Sequence, residues 1–402
     1  MNAPKLRFKD FNDEWKMTLL SNLMSFSNGI NSDKDNYGHG RKFINVLDIL
    51  NNNSIRYDDI IGSVSVSQKV QDSNKVEYGD LLFLRSSETR EDVGKSSVYL
   101  DKNDFALFGG FVIRGKKQGE YHPYFLKLNL ESPRIRHQIG SKAGGSTRFN
   151  VSQSILSSIE VSMASQNEQQ KIAEFMDHFD QKTKLQQEKI ELLKEQKKGY
   201  MKKVFSQELR FKDANEQDYP EWKKIKLGKL TKKTGKKNSE GIKYQVAAIS
   251  NKKGFTLEGE RNYSNADVDI KEYKLVHKDE FAYNPARINV GSFGFQNVAD
   301  IAIVSSLYVI FRTLPTLSNA YLKAYMHSGY FNRDVIKNTE GSVREYLFYE
   351  NFSNIKIPFP CLEEQEKIAT FLLKLDSKIQ LEEQKLESLQ EQKNWFMQQM
   401  FI

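Results

Sequence analysis

Two stretches of this 402-residue chain gather side chains able to hydrogen-bond the edges of nucleic-acid bases. LRSSETREDVGK, residues 84–95, offers Arg85, Ser86, Ser87, Thr89 and Arg90 directly after the strand-like GDLLF. FAYNPARINVGSFG, residues 281–294, offers Asn284, Arg287 and Asn289 after DEFAY. Arginine can grip guanine O6 and N7 with two N–H groups, asparagine can do the same for adenine N6 and N7, and serine or threonine can reach a base or a phosphate. Aligning Asp80 with Asp279 sets the two loops at equivalent places with different chemistry. Each of these arginines can equally pair with a local acid such as Glu88 or Asp92.

KAGGSTR at 142–148 and NTEGSVR at 338–344 form a second matched pair. Glycine lets backbone N–H groups approach a phosphate, which Lys142, Arg148 and Arg344 could neutralise. The same residues also suit a tight turn before a final strand. The basic loop with Lys232, Lys233, Lys236 and Lys237 suits non-specific phosphate contact or a solvated surface.

Catalytic chemistry finds few footholds. TGKKN at 234–238 lacks both the first glycine and the hydroxyl of a phosphate-cradling GxxxxGK[ST] loop. The six histidines are scattered, with no HExxH or CxxC, so no metal site is expected. YNPAR at 283–287 lacks the second proline and the aromatic of an NPPY-type amino-methyltransferase motif. No GxSxG elbow and no glycine-rich methyl-donor fingerprint occur. The reading is of a non-enzyme that binds no cofactor itself.

A net charge of +8 and a pI near 9.1 suit an anionic partner. At 39% hydrophobic residues the chain can bury real cores, and its length favours two or three domains. The single Cys361 allows no internal disulfide and fits the cytoplasm. The N-terminus is too charged for a signal peptide. The most apolar window, VADIAIVSSLYVIF at 298–311, is too short to cross a bilayer and reads as buried strand, so no membrane span is expected.

What positions the loops is a repeat. EQQKIAEF at 168–175 returns as EQEKIATF at 364–371, and the 38-residue stretches that these open share 17 identities without a gap. LRFKD followed by EWK occurs near residues 6–16 and again at 209–223. The layout is therefore folded unit, helix, folded unit, helix, with boundaries at 1–165, 166–208, 209–361 and 362–402. Short alternating or β-branched runs make each folded unit α+β, and HPYFLKLNLESPRIRHQIG and NAYLKAYMHSGYFNRDVIK space their apolar residues as short helices.

Asn167 is placed to cap the first long helix. Steps of four and three then trace Ile172, Met176, Phe179, Thr183, Gln186, Ile190, Leu193, Lys197, Tyr200 and Val204. The second copy traces Ile368, Leu372, Leu375, Ile379, Glu382, Leu386, Leu389, Lys393, Phe396 and Met400. Seven and eight of ten positions are apolar, which marks a coiled-coil seam rather than a broad amphipathic stripe. Antiparallel pairing would set Lys197 against Glu382 and Gln186 against Lys393.

The paired helices, each after a GS-R turn and an Ile-x-Val/Ile strand, with divergent cores between them, resemble the specificity (S) subunit of type I restriction-modification systems. The resemblance covers essentially the whole chain. It implies two target-recognition domains in pseudo-two-fold arrangement, each followed by a long helix, the helices packing as an antiparallel coiled coil. It implies a non-catalytic subunit that reads a split sequence in double-stranded DNA and directs two methyltransferase subunits and the restriction subunits. S-adenosylmethionine, ATP and Mg would then belong to those partners, and the copied helices and domain edges would be the docking surfaces. The competing reading is a coiled-coil assembly scaffold with protein-binding heads.

Overall fold

A computed structural model describes residues 3–251, 254–258, 269–340 and 346–401. The chain divides into two compact units, Met1–Gln187 with Lys385–Ile402, and Glu188–Gln384. Each unit thus owns part of both long helices.

In the first unit a five-stranded sheet runs in the order Met24–Asn28, Val112–Lys117, Leu81–Leu84, Ser96–Tyr99, Ser54–Ile55. Its pairs are antiparallel except the last, which is parallel. Pro123–Leu130 and Pro133–Lys142 are the helices expected there, each with proline in its first turn, where no N–H is needed. Leu81 to Leu84 are all buried, so this strand is covered on both faces. One continuous core joins Trp15, Phe83 and Phe125 to Ile172 and Met176 of the first long helix and Met400 and Phe401 at the end of the second.

The second unit has a four-stranded antiparallel sheet ordered Thr231–Thr234, Val309–Thr313, Phe281–Tyr283, Phe293–Phe295. Asn319–Met326 and Gly329–Asn338 are the short helices expected there, capped by the Ser318 and Ser328 hydroxyls. Its core joins Phe281, Phe311 and Tyr321 to Val204 and Phe205 of the first long helix and Ile368 and Leu372 of the second. The apolar 298–311 window is not one strand. Ile301–Val304 and Val309–Thr313 are separate strands joined by a turn at Ser305–Tyr308, because two serines interrupt the β-branched run.

The long helices span Gln166–Phe205 and Leu362–Met400. The first is capped by Ser165 rather than Asn167, its hydroxyl accepting the Glu168 N–H at 3.4 Å. Every seam position named above is buried or half-buried, while most intervening positions are exposed. In the first unit the start of one helix meets the end of the other, with Phe396 packed on Phe175 and Phe179 at 4.9 and 5.4 Å between ring centroids. In the second unit the end of the first meets the start of the second, with Tyr200 edge-on to Phe371 at 5.2 Å. The pairing is antiparallel, as expected.

Its register is not the expected one. Lys197 meets Asp376 at 2.5 Å rather than Glu382, and Lys393 meets Asp180 rather than Gln186. Glu382 is instead neutralised by Lys189 at 2.9 Å. Heptad spacing fixes which face is buried but leaves axial register open. Here the aromatic layers and the two Asp–Lys pairs select it, and both recur at equivalent positions of the two copies.

Candidate nucleic-acid interface

Each candidate loop is delivered by the same turn and strand. The buried Asp80 carboxylate accepts the Glu77 and Lys117 N–H groups at 3.0 and 2.9 Å, and burial raises its pKa despite those bonds. In the second unit Glu280 accepts the His277 N–H at 2.8 Å in the corresponding way. Gly79 and Asp279, at φ +92° and +67°, occupy the matching left-handed positions. Asp80 therefore corresponds to Glu280, not Asp279, and the loop alignment shifts by one residue.

In the first unit the loop and the KAGGSTR hairpin converge. Ser86–Ser87 pairs antiparallel with Phe149–Asn150, the Ser86 hydroxyl bonds Asn150, and the Arg85 carbonyl accepts the Val151 N–H at 3.0 Å. The hairpin is closed by reciprocal Gly144 and Asn150 backbone bonds of 3.0 and 2.8 Å. Gly145 sits at φ +113°, where a Cβ would lie 2.1 Å from the Arg148 carbonyl oxygen, so the turn requires glycine.

Not all candidates are free to read DNA. Arg85 is exposed and spends one N–H on the Gly110 carbonyl at 3.3 Å, leaving most of its donors available. Arg148 is exposed, with no side-chain hydrogen bond or ion pair to the described residues. Arg90 instead donates to the Gly140 carbonyl at 3.0 Å and lies 4.5 Å over the Phe149 ring, and Lys142 donates to the Ser158 carbonyl and hydroxyl at 2.9 and 3.0 Å. Both brace the hairpin. Thr89 donates to Asp92 at 3.0 Å and its N–H meets the Ser87 hydroxyl at 3.2 Å, so these two shape the loop. Asp92 pairs with Lys95 at 2.7 Å rather than with either arginine, and that bond, with the one from Thr89, lowers its pKa.

The second unit repeats the junction. The Leu347 N–H donates to the Pro285 carbonyl at 3.0 Å, and Glu340 and Tyr346 exchange reciprocal backbone bonds of 2.9 and 2.8 Å. Arg344 lies outside the described residues. The Asn284 carboxamide oxygen accepts the Ala286 N–H at 3.0 Å, which ties it to its own turn. Arg287 is exposed and Asn289 half-buried.

The basic run is only partly a loop. Lys232 and Lys233 lie in the edge strand Thr231–Thr234, where lysine also discourages strand addition. Lys233 pairs with Glu350 at 3.3 Å and Lys237 with Glu272 at 2.7 Å. Lys232 and Lys236 are exposed and make no side-chain hydrogen bond or ion pair to the described residues.

Sequence reading missed what the repeated EQ does. Glu168, 1% exposed, accepts Arg7 Nε and Nη2 at 2.8 and 2.7 Å and the Trp15 indole N–H at 3.1 Å. Glu364, fully buried, takes Arg210 Nε and Nη2 at 2.8 and 3.0 Å and the Trp222 indole at 2.7 Å. Gln169 accepts the His122 N–H and donates to the Ala164 carbonyl at 2.9 and 2.8 Å, while Gln365 accepts from Ser318 and donates to Pro360 at 2.9 and 3.0 Å. The phrase is an internal bolt joining LRFKD…EW, the short helix and the long helix, although its charge suggests an outward face. The usable signal is that LRFKD, EW and EQ travel together in both halves.

Among the described residues no cluster of His, Cys, Asp and Glu could hold a metal ion, and no helix is long and apolar enough to cross a membrane.

Two α+β units that repeat one frame around unlike loops, built on antiparallel paired helices, define a duplicated recognition protein. The chain belongs to the type I restriction modification DNA specificity domain family, whose pattern it matches twice, over residues 12–195 and 220–391. It is 23% identical to the type I restriction enzyme MjaX specificity subunit of Methanocaldococcus jannaschii, over 98% of this chain and 95% of the relative. It is 28% identical to the MjaVIII specificity subunit of the same organism, over 68% and 67%. The fold is similar to that of the type I restriction-modification S subunit from M. genitalium, with TM-score 0.57, 17% identity and coverage of 100% and 99%. A second structure, reported for complex assembly and conformational transition of the type I R-M system, gives TM-score 0.55 at 14% identity over 95% and 96%. Specificity subunits of this family are non-catalytic.

Proposed function

We infer that this chain reads a bipartite double-stranded DNA target, one half-site per unit, and directs methyltransferase and restriction subunits to it. The observation carrying this is the same backbone junction built twice, the Arg85 carbonyl taking the Val151 N–H in one unit and the Pro285 carbonyl taking the Leu347 N–H in the other, with unlike residues in the two loops. A constant frame with variable contacts is what reading two different half-sites requires. The chemistry of methyl transfer and cleavage, with S-adenosylmethionine, ATP and Mg, resides on the partners in this reading.

Methylome sequencing of cells with and without the intact gene tests it: a split motif that disappears with the gene is the expected result, and methylation unchanged by the deletion refutes it. Lys232 and Lys236 serve as sequence-independent phosphate contacts. Replacing both with alanine is expected to weaken binding of specific and random duplexes alike and to flatten the log Kd against log salt slope by about two, roughly one per lost contact. Lys233 and Lys237, already ion-paired, are expected to contribute less.

A further inference from the structure

Each unit presents one large apolar side chain at the tip of a turn beside its candidate reading loop. Phe111 is 64% exposed and Leu307 is 70% exposed. Single exposed apolar residues are ordinary on any surface. Recurrence at one place in two unlike sequences is not. Both occupy the third position of a four-residue turn, closed by Val112 N–H to the Gly109 carbonyl at 2.9 Å and by Tyr308 N–H to the Ser305 carbonyl at 3.1 Å. Both turns lead into the strand that pairs with the one delivering the loop, Leu84 facing Val112 and Tyr283 facing Val309.

The first turn is tied directly to its polar candidate. The Arg85 N–H donates to the Phe111 carbonyl at 3.0 Å, and the Arg85 guanidinium to the Gly110 carbonyl. Gly110 lies so close to Asn31 that a Cβ would sit 2.0 Å from its side-chain oxygen, and the Gly110 N–H is held by the Ile30 carbonyl at 2.9 Å. Next to Leu307, the Tyr308 N–H closes the turn on the Ser305 carbonyl at 3.1 Å, and Tyr283 of the strand that delivers the loop faces Val309. Phe111 is therefore preorganised beside a cation and costs little entropy to use, and Leu307 holds the matching place in the matching turn.

We propose that Phe111 and Leu307 are specificity-determining residues, each packing on the 5-methyl group of a thymine in the major groove of its own half-site. Thymine is the base that offers a methyl group there, which matches an exposed apolar tip. This rests on the split-target reading above.

The test uses the assembled complex with its methyltransferase subunits and the duplex target identified by methylome sequencing, with deoxyuridine replacing thymine one position at a time. Loss of one buried methyl is expected to weaken wild-type binding about fourfold at one thymine in each half-site. Phe111→Ala is expected to abolish that response in one half-site only, Leu307→Ala in the other, and Phe111→Leu to retain most of it. Unchanged deoxyuridine responses in both alanine variants overturn the proposal, as does a uniform affinity loss with the responses intact, or a half-site containing no thymine. A wild-type complex with no split-site preference overturns the underlying reading instead.

Discussion

Glu364→Ala is expected to lower the stability of the second unit by about 3 kcal/mol, and Glu168→Ala to do the same to the first. Removing one partner of a buried ion pair leaves the other uncompensated, at a cost of roughly 3–5 kcal/mol. The lower figure applies because Arg210 and Arg7 are 25% and 13% exposed and partly regain water. Each carboxylate also holds an indole N–H that would be orphaned, at 2.7 Å from Trp222 and 3.1 Å from Trp15. Glutamine keeps an acceptor for the indole and loses the charge, so Glu364→Gln is expected to cost about half as much. Hydrogen exchange resolved by peptide distinguishes the units: protection should fall in the one carrying the change. Equal loss in both, or a change no larger than an ordinary surface substitution makes, would show that the bolt is not what joins helix to domain.

Arg85→Ala is expected to relax base preference at one position of one half-site by roughly 10- to 100-fold, and Arg287→Ala to do so in the other. A bidentate arginine–guanine contact discriminates by about 1–3 kcal/mol. Both guanidinium groups are exposed, and Arg85 keeps donors beyond the one given to Gly110. Asn284→Ala should behave differently. Its side chain closes its own turn, so its loss is expected to weaken the whole second half-site without relaxing one position. Binding to libraries randomised in one half-site at a time measures this. The division of labour fails if either arginine variant loses affinity evenly across both half-sites.

The loops themselves show where sequence reading reaches its limit. Arg85 and Arg90 look equivalent in LRSSETRED, and only the fold separates a guanidinium with donors to spare from a brace, since the Gly140 carbonyl and the Phe149 ring that hold Arg90 come from a distant part of the chain. The basic run looks uniform, but Glu350 and Glu272 neutralise Lys233 and Lys237 from other elements. Phe111 and Leu307 are hidden for another reason: each lies inside an apolar run that suggests burial, and a glycine pair or serine pair turns the residue outward.

What the sequence alone determined was the repeat and the seam. Internal similarity over 38 positions and heptad spacing are local properties, and they sufficed for two units and two long helices with an apolar seam, whereas the antiparallel sense came from the resemblance to specificity subunits. The tertiary structure decided the axial register and the inward role of EQ. Register depends on which layers interlock between helices that the chain keeps far apart in sequence, here Phe175 with Phe396 and Tyr200 with Phe371. Burial of Glu168 and Glu364 depends on an arginine and a tryptophan arriving from equally remote segments. Charge suggests an exposed residue only until a partner with matched geometry removes it from water.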